Sequence, residues 1–493
     1  MTQTIKLSDP RLFRQHAYVG GKWTYGDGGR EEAVTNPANG EVLGHIPWLE
    51  PDQIRAAVDA AEGAFANWRA LRVDERCERL LAWHDLLLEN REDLAILMTH
   101  EQGKPLPDAR GEVEYGASFI RWFAEEGKRT FGQTIPSHIP NAALGTIKEP
   151  VGIAALITPW NFPLAMITRK AAAAMAAGCP VIVKPAGETP FTALALAELA
   201  ERASIPAGIF NVVLGDAPQV SEVLCAEERI KALSFTGSTR VGRLLLEQSA
   251  NSVKRVSLEL GGNAPFIVGP DVDPKEAAFA AVSAKFQTGG QDCLAADRIL
   301  VHESVHDAFV EHFAERMAAL TVGNGLDSEI DLGPLIHGKA VEKAMGIVDD
   351  AISQGATLVA GDQSQAPGPN YFMPVLLTGV TPSMSVWREE NFSPVAGITA
   401  YSTDDQALEM ANDTEYGLAA YVYTHDIRRI WKMLRGLEYG MVAVNSVKMT
   451  GAPIPFGGVK QSGLGREGGT AGIEEFLETK YYCLGALGSV SGS

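Results

Sequence analysis

"VGIAALITPWNFPLAMITRKAAAAMAAGCPVIVK", residues 151–184, decides the fold class. It opens on "VGIAALIT", an apolar run of buried-strand length, well short of the ~18 residues that span a membrane. "FPLAMITRKAAAAMAAG" follows as a helix, closed by Gly178, since glycine accepts the left-handed conformation that ends helices. "PVIVK" is a second strand. Strand, helix and strand at this spacing make a βαβ unit, two parallel strands joined by a right-handed crossover.

The alternation continues. Helix "TPFTALALAELAERA" (189–203), strand "IFNVVLG" (209–215), helix "PQVSEVLCAEE" (218–228), strand "IKALSFTG" (230–237), helix "STRVGRLLLEQSA" (238–250) and strand "VKRVSLEL" (253–260) follow in order. This predicts an α/β fold around a helix-covered parallel sheet, with ligands at the carboxyl ends of its strands. Upstream, residues 52–103 have the three- and four-residue apolar spacing of helices. "GGNAP" (261–265) reads as a hinge between lobes, and a second α/β alternation runs on to about residue 461. The tail "TKYYCLGALG" (479–488) reads as an apolar strand with no helix after it, which needs a partner and so predicts an oligomerisation strand.

A chain of 493 residues is too long for one simple core and predicts two or three domains. Its 42 basic against 61 acidic residues, a formal charge of −19, excludes nucleic acid as the expected partner, because phosphate neutralisation needs concentrated Lys and Arg. No apolar run is long enough for a membrane span, and "MTQTIKLSDPRLFRQ" has no apolar segment of the kind a secretory signal carries. The cysteines Cys77, Cys179, Cys225, Cys293 and Cys483 are odd in number, scattered and without a CxxC pair. They fit neither a disulfide framework nor a zinc site, so a reducing, cytoplasmic compartment and no metal are expected.

The motifs of nucleotide binding are missing. No GxGxxG follows a strand, and "GSTRVG" (237–242) lacks the Lys-Ser/Thr that completes a phosphate loop. One cysteine stands out by its setting: "KFQTGGQDCLAADR" (285–298) puts Cys293 in a small, Gly-rich loop, where a thiol is either a nucleophile or an inert buried residue.

Five stretches read together settle more. "ITPWNFP" (157–163), "VKPAGETP" (183–190), "FTGST" (235–239), "LELGGNAP" (258–265) and "GGQDC" (289–293) resemble the aldehyde dehydrogenase superfamily in order and spacing. "REENFSPV" (388–395) and "PFGGVKQSGLGREGG" (455–469) extend the resemblance over nearly the whole chain. It implies a Rossmann-type NAD(P)-binding lobe (1–130 and 151–260), an α/β catalytic lobe (261–461) and a small β oligomerisation unit (131–150 and 470–493). It also explains the missing GxGxxG, which this family does without.

The resemblance assigns roles. Cys293 becomes the nucleophile, and Asn161 joins the Cys293 backbone N–H in holding the oxyanion, where the residue alone would read as a helix cap. Glu259, a carboxylate where an apolar strand should continue, becomes the base for the hydrolytic water, and Glu467 a proton outlet or a surface ion pair. For the cofactor, Lys184 meets the adenosine ribose, Ser238 the pyrophosphate, and Glu390 with Phe392 the nicotinamide ribose; Thr158 and Trp160 line that region or pack the core. Phe162 and Phe456 line the substrate site. Lys448 and Thr450 fall at its mouth, where Lys448 is a charge for the substrate or a solvated loop lysine.

Within the superfamily the chain is most similar to succinate- and glutarate-semialdehyde dehydrogenases. There Arg169, in "MITRK", is expected to clamp a substrate carboxylate bidentately. The group's second arginine is Gln287 here, and its extra cysteine two residues beyond the nucleophile is Ala295. NAD-specific members carry a Glu three residues after the ribose lysine; this chain has Gly187, so acceptance of NADP, even a preference for it, is expected beside NAD. A short acidic semialdehyde is the expected substrate, with a broad-range or aromatic aldehyde as the alternative. A thiol-dependent esterase and a non-catalytic dinucleotide-binding structural protein are the other classes, and a homodimer or homotetramer is the expected assembly.

Overall fold

The βαβ unit at 151–184 forms as strand Ile153–Ile157, helix Ala165–Ala177 and strand Val181–Lys184, with Gly178 left-handed (φ +106°) at the helix end. The computed structural model describes residues 5–485. Five parallel strands make the body of the first sheet, in the spatial order Phe210–Val212, Val181–Lys184, Ile153–Ile157, Ile230–Thr236, Arg255–Glu259. Numbered along the chain this is 3-2-1-4-5, so the order reverses between Ile153–Ile157 and Ile230–Thr236. A crevice opens at such a reversal because the crossovers on its two sides leave in opposite directions.

Both edges of this sheet come from elements the sequence reading passed over. Gly463–Leu464 pairs antiparallel with Arg255–Glu259, and a short hairpin, Ala17–Val19 with Lys22–Thr24, pairs antiparallel with Phe210–Val212. A second hairpin, Glu31–Thr35 with Val42–Pro47, stands separately. Strands this short carry almost no periodicity. The helical stretch 52–103 resolves into Pro51–Ala70, Val73–Glu89 and Arg91–Gln102, and a fourth helix, Leu106–Glu126, follows.

The second sheet has seven strands, ordered Thr357–Ala360, Val375–Thr378, Val395–Tyr401, Arg298–His302, Pro265–Val268, Ala419–Tyr423, Met441–Val444; only the first pair is antiparallel. The link between the sheets is not the hinge the sequence suggested. Residues 261–265 are buried, Asn263 Nδ2 donates to the Trp387 carbonyl (2.8 Å), and the Asn263 carbonyl accepts from Arg298 Nη2 (3.0 Å). Gly-rich sequence here serves close approach instead of mobility.

A three-stranded sheet lies apart, with Leu477–Leu484 and Thr134–Ile135 on either side of Ala143–Pro150. The tail strand thus has a partner within its own chain on one edge. Only Leu477 of it is buried, while Tyr481 and Leu484 are exposed. Residues 486–488 of the expected tail strand, like 1–4 and 486–493 in general, lie outside the described residues.

The close approach at the link is testable. A Cβ on Gly262 would stand 2.2 Å from the Cys293 carbonyl oxygen, far inside contact distance. Gly262→Ala is expected to cost about 1–3 kcal/mol and to displace the Cys293 loop. Both the melting temperature and the rate of Cys293 alkylation by iodoacetamide should fall; if neither changes, the loop is not held by this contact.

Candidate active site

Helix Pro274–Phe286 ends in a turn where Thr288, Gly289 and Gly290 are all left-handed (φ +50°, +64° and +74°). Glycine takes this conformation freely and threonine does not, so Thr288 is strained. The turn brings the chain against its neighbour: a Cβ on Gly290 would lie 2.3 Å from the Ser393 carbonyl. Cys293 follows, half-buried, its loop fixed by Tyr421 Oη donating to the Leu294 carbonyl (3.0 Å) and Leu294 N donating to Asp292 Oδ1 (3.0 Å). The thiol lines a cavity of about 760 Å³ at the strand-order reversal, between the two sheets.

Asn161 lines the same cavity. Its Nδ2 donates to the Gln291 carbonyl (3.0 Å), two residues from Cys293, which leaves the second amide hydrogen for a ligand. It does not cap the helix that follows. That task falls to Glu112, whose Oε1 accepts from Leu164 N (2.9 Å) and Ala165 N (3.1 Å). Glu112 also pairs with Lys104, and Lys104 Nζ donates to the Asn161 carbonyl (2.8 Å). Both members of this pair are buried, and the sequence reading missed them. A signal existed: Glu112 falls on the apolar stripe of its helix with Ala109, Val113 and Gly116, all buried, a position that a carboxylate holds only when paired.

Glu467 and Arg169 meet where the sequence offered them separate tasks. Arg169 Nε donates to Glu467 Oε2 (2.5 Å), and Lys170 Nζ pairs with Glu467 Oε1. The cluster is buried, so the surface ion pair is excluded for Glu467. Arg169 lines the cavity and stacks on Phe456, its Cζ 4.1 Å from the ring centroid. With Nε committed and Nη2 on the Met166 sulfur (3.3 Å), only Nη1 lacks a partner. The bidentate clamp is therefore not available: a buried Glu467 needs the guanidinium more than an absent substrate does.

Glu259 sits at the end of its strand beside this cluster, with neither carboxylate oxygen hydrogen-bonded. It does not line the cavity; Oε1 lies 2.8 Å from where a Cβ of Gly457 would stand. Burial, and then the charge of Glu467, push its carboxyl well above the usual range, against Arg169 and Lys170. Burial opposes ionisation of Glu467 as well, but Arg169 and Lys170 outweigh it and hold that carboxyl low. Burial, Asp292 and Glu390 push the Cys293 thiol up, and Arg169 only partly offsets them. Asp292 thus faces the thiolate unfavourably.

The other expected residues divide between two cavities. Trp160, Ser238, Glu390 and Phe392 line the first, as do Phe162, Lys448, Thr450 and Phe456. Glu390 Oε1 accepts from Gly262 N (2.9 Å), burial raises its carboxyl to about 7, and Phe392 meets Trp160 edge-on (5.6 Å). Lys104 Nζ stands over the Phe162 ring (4.2 Å), and the exposed Lys448 and Thr450 sit at the mouth near Tyr115. Lys184 and Gly187 line a second cavity of about 410 Å³. Thr158 lines neither; its N–H donates to the Lys184 carbonyl (3.1 Å).

The residues suit a dinucleotide. Thr158 Oγ1 and Thr236 Oγ1, at neighbouring strand ends, are buried without partners. Ser238 caps helix Thr239–Ser249, whose N-terminal N–H groups face the first cavity and favour an anion. Gly187 leaves the second cavity open, but not free of carboxylate: Glu32, from the second hairpin, has both oxygens 3.5 Å from where a Cβ of Gly187 would stand. The absence on which the NADP expectation rested is therefore made good from another element. His302 and His306, spaced like helical metal ligands, share no helix: one ends a strand and bonds Ser304, the other starts a helix and bonds Asp307.

Comparison with known proteins places the chain in a family. A model of the aldehyde dehydrogenase family matches residues 23–482. The chain is 84% identical over 493 residues to an aspartate-semialdehyde dehydrogenase (non-phosphorylating) of Halomonas elongata, covering both chains completely. It is 50% identical to an NADP(+) succinate-semialdehyde dehydrogenase of Escherichia coli, over 98% of this chain and all of that one. A crystal structure of an NADP-dependent enzyme of E. coli superposes with a TM-score of 0.96 at 50% identity, covering 97% of this chain and 100% of the other. With matches that span the chain and a fold shared nearly end to end, the protein belongs to the aldehyde dehydrogenase family.

Proposed function

We propose that this NAD(P)-dependent aldehyde dehydrogenase acts on the semialdehyde of a short amino acid, aspartate semialdehyde, through a thioester on Cys293. The observation that carries the substrate class is the charge around the first cavity. Arg169 Nη1 and Lys448 offer positive charge for a carboxylate, while Asp108 and Asp292 on the same walls offer negative charge for an ammonium group. Gln287, also on the wall, stands where the semialdehyde group has its second arginine, which would repel an ammonium. The name of the 84% identical relative supports the same reading. Succinate semialdehyde, with the carboxylate but no ammonium, is the second reading, supported by the name of the E. coli relative.

The chemistry follows from the chain's own groups. Cys293, having released its proton to solvent, adds as the thiolate to the aldehyde carbon, which a carbonyl needs before it can release hydride. The free amide hydrogen of Asn161 and the Cys293 N–H hold the resulting oxyanion, and one such donor is worth about 10²–10³ in rate. The nicotinamide dinucleotide, when bound, supplies the hydride acceptor. Glu259 then takes a proton from the water that attacks the thioester, with the ionised Glu467 beside it raising its basicity. Thiol and base are both held above their ordinary values, so each reaches its reactive form only as pH rises. Exposed Ile147, Tyr481 and Leu484 on the three-stranded sheet support a homodimer or homotetramer, and five free cysteines support a cytoplasmic setting.

Two outcomes test this. Glu259→Gln should lose about 10²–10⁴ of turnover and show a shallower rise of turnover with pH, since only the Cys293 thiol then titrates. A burst of nitrophenol from 4-nitrophenyl acetate should survive, because acylation uses Cys293 and the oxyanion donors but not the base that activates water. If the burst disappears too, Glu259 serves the thiol instead of the water.

The substrate is tested by kcat/KM for aspartate semialdehyde, succinate semialdehyde and butanal. Asp108→Asn should lower the first by about tenfold and spare the others. Lys448→Met should lower the first two and spare butanal. Equal effects on all three would remove charge recognition at this cavity.

A further inference from the structure

The second cavity holds one cation and three carboxylates: Lys184 faces Glu32, Glu188 and Asp216. They are not equivalent. Asp216 caps helix Ala217–Ala226 by accepting from Gln219 N (3.1 Å), and Glu188 is exposed. Glu32 is built into the wall. It alternates with Val34 along its strand, and Val34 is in the core, so the period-two rule turns Glu32 inward as well. Trp48 Nε1 donates to Glu32 Oε2 (3.0 Å), and Arg30 stacks on the Trp48 ring (5.0 Å). Among the described residues Oε1 has no hydrogen-bond partner, and both oxygens lie 3.5 Å from where a Cβ of Gly187 would stand, on the wall shared with Lys184.

We infer that Glu32 makes this enzyme select NAD, whose ribose 2′-hydroxyl can donate to Oε1, over NADP, whose 2′-phosphate it repels. The inference rests on this cavity holding the adenosine ribose. A free hydroxyl is a donor and a carboxylate an acceptor, so the pair is favourable; a phosphate is an anion with no proton to give. One lysine cannot neutralise three carboxylates and a dianionic phosphate together. Selection lies on an N-terminal hairpin, some 150 residues before the lysine motif from which it would ordinarily be read.

Calorimetric titration of the full chain with NAD+ and NADP+, without aldehyde, tests this. The wild type should bind NAD+ more tightly. Glu32→Gln should shift the NADP+/NAD+ affinity ratio towards NADP+ by about ten- to a hundredfold. Added salt should narrow the ratio more in the wild type than in the variant, since the Glu32–phosphate repulsion is screened and Glu188, Asp216 and Lys184 remain in both; a merely structural Glu32 would leave the two salt responses equal. Lys184→Met, run alongside, should weaken both cofactors. An unchanged ratio in Glu32→Gln with both weakened in Lys184→Met overturns the role of Glu32 and keeps the cavity. If Lys184→Met weakens neither, the cavity is not the ribose site and the inference falls with it.

Discussion

The carboxylate of Glu467, buried between Arg169 and Lys170, ties together three parts of the molecule that the chain keeps far apart. Taking such groups out of water costs several kcal/mol per ion, and only opposite charges in contact offset it. The cations come from the helix that starts just after the Asn161 loop. The carboxylate comes from the last glycine-rich segment, whose Gly463–Leu464 pairs with the strand ending in Glu259 and whose residue 467 exchanges backbone hydrogen bonds with Phe456 (2.7 and 2.8 Å). Closing this one cluster therefore sets the seating of the base, of the stacked Arg169 and of the cavity wall at Phe456. It also fixes their electrostatics. A Glu467 kept ionised raises its neighbour Glu259, and an Arg169 kept on Glu467 has one nitrogen left for anything else.

Two further buried pairs do for the remaining loops what this cluster does for the base. Lys104 and Glu112 hold the Asn161 carbonyl and the start of the following helix. Lys285 donates to Asp297 Oδ1 (2.6 Å) and to Asn391 Oδ1 (2.8 Å), which steadies the segment carrying Glu390. Loops are ordinarily the most mobile parts of a fold. Here the Asn161 loop and the segment carrying Glu390 are each fastened by a buried charge pair. The cost is desolvation; the result is an oxyanion donor and a nucleophile held on separate elements by the Asn161–Gln291 contact.

The parallel sheets were legible because buried strands and amphipathic helices leave period and length in the sequence. From 153 to 259 each expected strand and helix is found, with boundaries a few residues shorter. Residues 17–47 were not legible, since strands of three to six residues that are partly exposed look like loops. "GGNAP" was misread for a related reason. Glycine marks both flexibility and close approach, and only the neighbour at 2.2 Å tells which. At the site, residue types could be placed on motifs, but pairing could not. Nothing in "MITRK" says that its arginine is already bound by a glutamate about 300 residues later, and the effective charge of the cavity depends on that.

The cofactor cavity shows how far a single-position reading can stray. A glycine at 187 removes a side chain, and from the motif alone that looks like the removal of an acid. In three dimensions the acid is still present: both oxygens of Glu32 lie 3.5 Å from where a Cβ of Gly187 would stand, an ordinary contact. A second glutamate at 187 would stand beside Glu32 and repel it. The hairpin supplies the Glu32 carboxylate with a fixed partner, Trp48. The electrostatic character of the pocket is a property of the space, filled from whichever element reaches it. The short strand Glu31–Thr35, the least readable part of the sequence, is the one that does.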